Sequence, residues 1–427
     1  MDRASTANHR LLSVHNHIAP VSRRAEGIVV VLPRGGTVTA HTTTADVRGE
    51  VTELRLNNRP FLVYRSVPSV VLSLPLSAVG TPYEGATDHI PKNTLLEISP
   101  PLDANGLPIS KAISVADVWA GVYALFTLYR TNEHIPIRLI AIPNADEVHQ
   151  YLLQAGLGRL SRSSKTPELA DKTIFLSRAA FWQGAGTTGY HDRGWLPSSA
   201  PSTFPSLPSF TRSELVIASH PLRPPRPRGG EVLYRRYCAA VGQTLEFIAF
   251  DLGADEVSTH LATFHRWHND ERVNNAWGER GCLEKHRKYI EGVLADPGVL
   301  PIMMSWDGEL MGYAEIVWVK ENHVAQYIPA DIHVGDWDRG LHVLVGEEKF
   351  LGGGRSAVWL RSLVHFGFLA DPRTGLVIGE PKESNAAMAK VAVSAGFHVH
   401  TTIDFPYKRS VLIINPRERF FEKCQLY

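Results

Sequence analysis

A chain of 427 residues is too long for one ordinary hydrophobic core, so length alone predicts two to three domains. Apolar residues make up 44% and charged residues 20%, the balance of a soluble globular protein rather than a fibrous or disordered one. A formal net charge of +1 gives no reason to expect nucleic acid or another polyanion as a partner. In chain order, the first clear elements are an apolar helix over Val115–Tyr129, a strand over Ile135–Ile142, a helix over Asp146–Gly156 and a strand over Thr173–Ser177. Between Gly184 and Gly230 the composition changes. Pro-Ser-Ser-Ala-Pro-Ser at 197–202 and Pro221-Leu-Arg-Pro-Pro-Arg-Pro-Arg-Gly-Gly230 are too proline-rich for helix or central strand, so 184–230 is expected to link a half over 1–183 to a half over 231–427.

The second half is easier to read. Strands are expected at Glu231–Tyr237 and Thr244–Asp251, and helices at Asp255–Asn269 and Glu284–Asp296. A hairpin of Val299–Trp306 and Glu309–Lys320 turns at Asp307-Gly308. A short buried strand, His342–Val345, leads through Gly352–Gly354 into an apolar helix, Ser356–Leu369. Then come a strand at Gly375–Gly379, a helix from Asn385 to Gly396 and a last strand at Val411–Asn415. The series helix, strand, helix ending in Ala-Gly, strand occurs in both halves, as expected of a duplication whose two copies have diverged. The fold class predicted is therefore α/β, with two mixed-sheet halves in tandem.

Three cysteines, Cys238, Cys282 and Cys424, show no CxxC spacing, which argues for a reducing compartment and against a disulfide framework or zinc site. No apolar run approaches the ~20 residues of a membrane span. The N-terminus shows no secretory h-region, so the cytoplasm is the expected location. Arg10-Leu11 with His17-Ile18 resembles an N-terminal peroxisomal address and keeps the peroxisome as the alternative; the C-terminal Gln-Leu-Tyr is not a peroxisomal tripeptide.

The chemistry concentrates after Asp338. A strand running into consecutive glycines and then a helix points backbone N–H groups into one concavity, a natural seat for a pyrophosphate. Gly352, Gly353 and Gly354 would form that turn, with Arg355 or Lys349 as side-chain clamp. The turn matches neither a Walker motif nor GxGxxG. His342 precedes it, and a neutral imidazole there would accept a proton from an attacking nitrogen. Glu380 ends the next strand, where it would orient the imidazole, bind the substrate amine or act as base. Asn385 either caps the following helix or contacts a pantetheine arm. Phe264–Val273 supplies Trp267, Asn269 and Arg272 as an aromatic and polar substrate wall. His265 and His268 lack a third ligand at metal-binding spacing, so no metal is expected. Glu315, on an apolar strand, needs a partner: a substrate ammonium or an internal arginine.

These segments together resemble the siderophore-biosynthesis branch of the GNAT acyltransferases, which includes fungal N5-hydroxyornithine transacylases and bacterial N6-hydroxylysine acetyltransferases. The resemblance is carried, in one order over about 190 residues, by Phe264–Val273 with Trp277, Gly312-Tyr-Ala-Glu315, Asp338–Gly346, Phe350-Leu-Gly, Glu380-Pro with Asn385, and Ala395-Gly-Phe397. It implies two GNAT-like domains, the first degenerate. It implies an acyl-CoA cosubstrate, acetyl or longer such as anhydromevalonyl, held along Val343, Val345, Gly352–Arg355 and Asn385. The implied acceptor is N5-hydroxyornithine, with N6-hydroxylysine or another small amine as the rival, and the implied catalytic pair is His342 and Glu380. Relatives usually carry aspartate where Glu380 stands. A hydroxylamine needs no covalent acyl-enzyme, and iron would bind the hydroxamate product rather than the protein. The first half would then shape the pocket or form a homodimer surface. A non-catalytic acyl-CoA-binding or assembly protein is the alternative of another class.

Overall fold

The computed structural model describes residues 26–32, 35–45, 49–74, 91–160, 173–186, 205–253, 257–423 and 426. The peroxisome-like pairs at Arg10 and His17, and the proline-rich run at 197–202, lie outside them. The first half contains strands β1 (Glu26–Val31), β2 (Thr37–Ala45), β3 (Gly49–Leu56), β4 (Arg59–Ser73), β5 (Lys92–Ser99), β6 (His134–Leu139), β7 (Gly158–Leu160) and β8 (Thr173–Ser177). Its helices are α1 (Val115–Leu128), α2 (Ala145–Gln154) and α3 (Arg178–Trp182). A hairpin, β9 (Pro208–Arg212) and β10 (Ile217–Pro221), follows.

The second half contains β11 (Val232–Cys238), β12 (Gln243–Ala249), β13 (Val299–Trp306), β14 (Glu309–Trp318), β15 (Arg339–Val345), β16 (Leu376–Gly379), β17 (His398–Asp404) and β18 (Arg409–Pro416). Its helices are α4 (Thr259–Asn269), α5 (Glu271–Trp277), α6 (Leu283–Ala295), α7 (Arg355–Ala370), α8 (Ala386–Ser394) and α9 (Arg417–Lys423).

Among the described residues the two large sheets have the same strand order, β1-β2-β3-β4-β5-β6-β8-β7 and β11-β12-β13-β14-β15-β16-β18-β17. Each has one parallel pair in the same place, β5 with β6 and β15 with β16. The echo in element order is thus a repeated topology. The β13–β14 hairpin turns where expected, with Asp307 (φ 50°) and Gly308 (φ 83°) both left-handed, as a two-residue hairpin turn demands.

Strand alternation divides the second sheet's side chains between two layers. Met303, Tyr313 and Leu344 pack with Phe264, Trp267 and Ile290 of α4 and α6. Ile302, Ala314, Ile316 and Leu341 face the other way, into a core shared with Trp359 and Leu363 of α7. That core continues without a break into the first half, through Trp119 and Tyr123 of α1 and Phe181 and Trp182 of α3. A polar staple crosses it. His365 on α7 donates from Nε2 to the Trp182 carbonyl at 2.5 Å, which fixes Nδ1 to accept from the Tyr234 hydroxyl at 2.9 Å. Burial pushes His365 down to about 3, so this pair is made by a neutral ring.

The stretch read from its prolines as a linker holds more structure than composition suggested. Arg223 is buried, pairs with Glu321 at 2.6 Å and lies over the Trp318 ring at 4.3 Å. Proline density records what a segment cannot form; it is blind to an arginine whose carboxylate lies 98 residues away.

Candidate active site

β15 and β16 pair in parallel only through Arg339 with Val377 and Gly340 with Ile378. β16 then ends at Gly379 while β15 runs on to Val345. The strands part, and among the described residues the β16-facing edge of β15 has no strand partner beyond Gly340. A cavity of about 640 Å³ opens at this fork, with His342, Val343, Glu380 and Asn385 in its wall. Val345 lies two residues beyond Val343, so its backbone groups point the same way along that edge.

Glu315 sits directly opposite His342 in the β14–β15 register. Both side chains face the α4–α6 layer, like Tyr313 and Leu344 two residues from each. Glu315 Oε2 is 3.2 Å from His342 Nδ1, and Glu380 Oε1 is 3.2 Å from Nε2. Glu315 Oε1 accepts from the hydroxyls of Tyr289 (2.7 Å) and Tyr313 (2.9 Å). Lys408 Nζ lies 3.5 Å from Glu380 Oε2 and donates to the Glu380 carbonyl at 3.2 Å.

Burial by itself would lower the pKa of His342, but the hydrogen bonds and charges of Glu315 and Glu380 outweigh it and raise it to about 10. Burial would raise both carboxylates; their bonds to His342, with the two tyrosines for Glu315 and Lys408 for Glu380, hold them below the usual range. The two carboxylates thus favour a protonated His342 ring, where the sequence led to the expectation of a neutral imidazole. Glu315, expected to meet a substrate ammonium or an internal arginine, instead has its oxygens engaged by Tyr289, Tyr313 and His342.

Gly352, Gly353 and Gly354 have φ of 74°, 59° and 77°, conformations that L side chains rarely adopt. Among the described residues no side chain caps α7; the Arg355 N–H bonds the Gly352 carbonyl at 3.1 Å, and the N–H groups that follow it at this helix start suit an anion. The Arg355 guanidinium leans over this turn, 2.6 Å from where a Gly353 Cβ would stand, and its Nε donates to Gln243 Oε1 at 2.7 Å. Lys349, the other candidate clamp, is drawn off by Glu309. Asn385 caps α8 by accepting from the Met388 N–H at 3.0 Å and also borders the cavity.

Trp267, Asn269 and Arg272 are not brought to this cavity. Trp267 is buried beneath Gly346, and its Nε1 donates to Glu347 at 2.9 Å. Asn269 donates to the carbonyls of His265 and Gly281, and Arg272 to those of Val345 and Gly346. All three border a second pocket of about 540 Å³ and brace the end of β15. His265 meets His286 at 2.8 Å, and among the described residues no group of three metal-binding side chains converges.

Tyr289, His323, Tyr407 and Lys408 also line the cavity. His323 Nε2 lies 2.9 Å from the Tyr407 hydroxyl. None of these carried a motif in the sequence: Tyr289 lies 26 residues from Glu315, and Lys408 lies 28 from Glu380.

A mixed sheet forked at its parallel pair, with an open glycine turn and a polar row in the fork, defines an acyl-CoA-dependent N-acyltransferase of the GNAT class. The profile of the acetyltransferase (GNAT) domain matches residues 256–405. Acyltransferase ato1 of Omphalotus olearius is 39% identical over 322 residues, covering 74% of this chain and 78% of its own. The N(5)-hydroxyornithine:cis-anhydromevalonyl coenzyme A-N(5)-transacylase SIDF of Beauveria bassiana is 35% identical, covering 74% of each chain. The N(6)-hydroxylysine O-acetyltransferase of Escherichia coli is 32% identical over 59% of this chain and 73% of its own. The chain belongs to the siderophore-biosynthesis family of GNAT acyltransferases.

Proposed function

We propose that this protein acylates the side-chain hydroxylamine of N5-hydroxyornithine, using acyl-CoA to make a hydroxamate, with Glu231–Tyr427 as the catalytic unit. The observation that carries this reading is the Glu315–His342–Glu380 row in the strand fork. Its proton acceptor on the cavity side is Glu380, a carboxylate held below its usual range. Such a base is far too weak to deprotonate an alkylammonium, which titrates near 10. A hydroxylamine is much less basic, arrives unprotonated at neutral pH and loses its proton readily once its nitrogen has attacked. The acceptor chemistry and the base strength therefore match.

The nitrogen attacks the thioester carbonyl, the N–C bond forms and the C–S bond breaks. The Glu380–His342 pair takes the proton from nitrogen and returns one to the departing sulfur, ending in its starting state. Backbone N–H groups on the open edge at Val343 and Val345 stabilise the oxyanion. The glycine turn, the start of α7 and Arg355 hold the pyrophosphate, and Asn385 borders the pantetheine arm.

The test is a matrix of N5-hydroxyornithine, N6-hydroxylysine and ornithine against acetyl-CoA and anhydromevalonyl-CoA, following free thiol and hydroxamate. The expected result is turnover of N5-hydroxyornithine, little of hydroxylysine and none of ornithine. Preference for hydroxylysine would move the acceptor to the rival reading, and the better donor identifies the acyl group. No turnover of any hydroxylated amino acid would sink the proposal.

A further inference from the structure

Glu315 is buried on β14 among mostly apolar side chains, and burial favours the protonated acid. A protonated Glu315 could present its O–H to His342 Nδ1 and invert the ring's hydrogen bonding. Three donors oppose this: Tyr289 and Tyr313 on Oε1, and His342 on Oε2. Tyr313 belongs to the same strand and is held by the sheet. Tyr289 comes from α6, stacks on Phe264 with ring centroids 5.8 Å apart and lines the cavity.

We infer that Tyr289 is a positioning residue for the acyl transfer: its hydroxyl keeps Glu315 ionised and turned toward His342, so that the ring keeps its Nδ1 proton and exchanges protons only through Nε2. The inference rests on the proposed reaction for its kinetic consequence, not for its structural one. Both tyrosine hydroxyls act as fixed donors, because burial first and the Glu315 charge second push them up. Glu279 borders the same cavity, and its charge also pushes the Tyr289 hydroxyl up. His268 of α4, buried against Phe264, is lowered to about 4 and adds no charge at neutral pH. On the Nε2 side stand Glu380 and, behind it, Lys408; His323, lowered by burial first and then by the His342 charge, is neutral.

Tyr289→Phe keeps the ring and its stacking and removes one O–H. The direct measurement is the ¹³C shift of the Glu315 carboxyl against pH, assigned by its loss in Glu315→Gln. Its midpoint should move up by about one pH unit, since a hydrogen bond to a charged group is worth about tenfold or more. With the accepted hydroxylamine, the variant's kcat should match the parent's at neutral pH and fall below it as pH is lowered toward the raised Glu315 midpoint, with both KM values within about twofold of the parent. An unchanged Glu315 titration, or a deficit independent of pH, overturns the inference. A raised acceptor KM at unchanged kcat also overturns it, by making Tyr289 a substrate ligand. The carboxyl titration needs no substrate, so it decides this point even if the proposed acceptor is wrong.

Discussion

The two halves of this protein share a strand order and differ in what lies at the fork of the parallel pair. In the second half, β15 runs on past β16, and His342 and Glu380 face a cavity of about 640 Å³. In the first half, β5 runs into the buried Pro100-Pro101, which have no N–H to offer a ligand. Where one chain segment reads Gly379-Glu380-Pro381, the other reads Ala141-Ile142-Pro143 just beyond the end of β6. Ile142 is buried and borders a residual gap of about 20 Å³ lined by side chains such as Leu62, Ile98 and Leu152. At the corresponding place in the first half, proline and aliphatic packing stand where the second half has a cavity. The kept half contributes core instead: Trp119, Tyr123 and Trp182 complete the apolar layer behind α7.

This division of labour can be broken most sharply at the fork. Glu380→Gln and His342→Ala should each lower kcat by about 10² to 10⁴, the range for a lost proton-transfer group, with far smaller changes in acyl-CoA affinity. The parent's kcat/KM should decline on the alkaline side only as His342 loses its proton, near its value of about 10. Glu380→Gln removes a charge that stabilises the imidazolium, so that limb should move to lower pH. Normal turnover by His342→Ala would remove it from the reaction centre.

The first half should answer to stability rather than chemistry. Trp182→Ala deletes a buried side chain at the junction and should cost about 3–5 kcal/mol in urea unfolding. The kcat of the remaining folded enzyme should stay within about twofold; a selective loss of kcat would give this half a catalytic role.

Smaller effects sharpen the reading of the glycine turn. Gly354→Val places a β-branched residue at φ 77° and should raise the acyl-CoA KM about tenfold, for a strain of about 1–3 kcal/mol. An unchanged KM would move the pyrophosphate elsewhere. Lys349→Ala should change that KM less than twofold, because its partner is Glu309 on the surface and such pairs contribute little. A tenfold rise would return Lys349 to the clamp in place of Arg355.

The sequence by itself determined the elements with strong local signals. Periodicity located α7 and β18 to within two residues, Asp307-Gly308 marked its hairpin, and Gly352–Gly354 marked the turn before α7. It also supplied His342, Glu380 and Glu315, because polar side chains on apolar strands stand out against the pattern. It passed over β1 to β5, β7, β9, β10 and α3 before Glu231, and β17, α5 and α9 after it; it expected Trp267, Asn269 and Arg272 at the substrate, and they border the second pocket and brace β15.

What only the tertiary structure decided is which charges meet. Glu315 and His342 are neighbours through an antiparallel register, and Glu380 reaches Nε2 because β16 lies parallel to β15 and stops short. Tyr289 and Lys408 arrive from elements with no sequence link to them. A local pattern encodes which face a side chain takes. The charge state of His342 follows from the distances to two carboxylates on other strands, and those distances exist only once the sheet has formed.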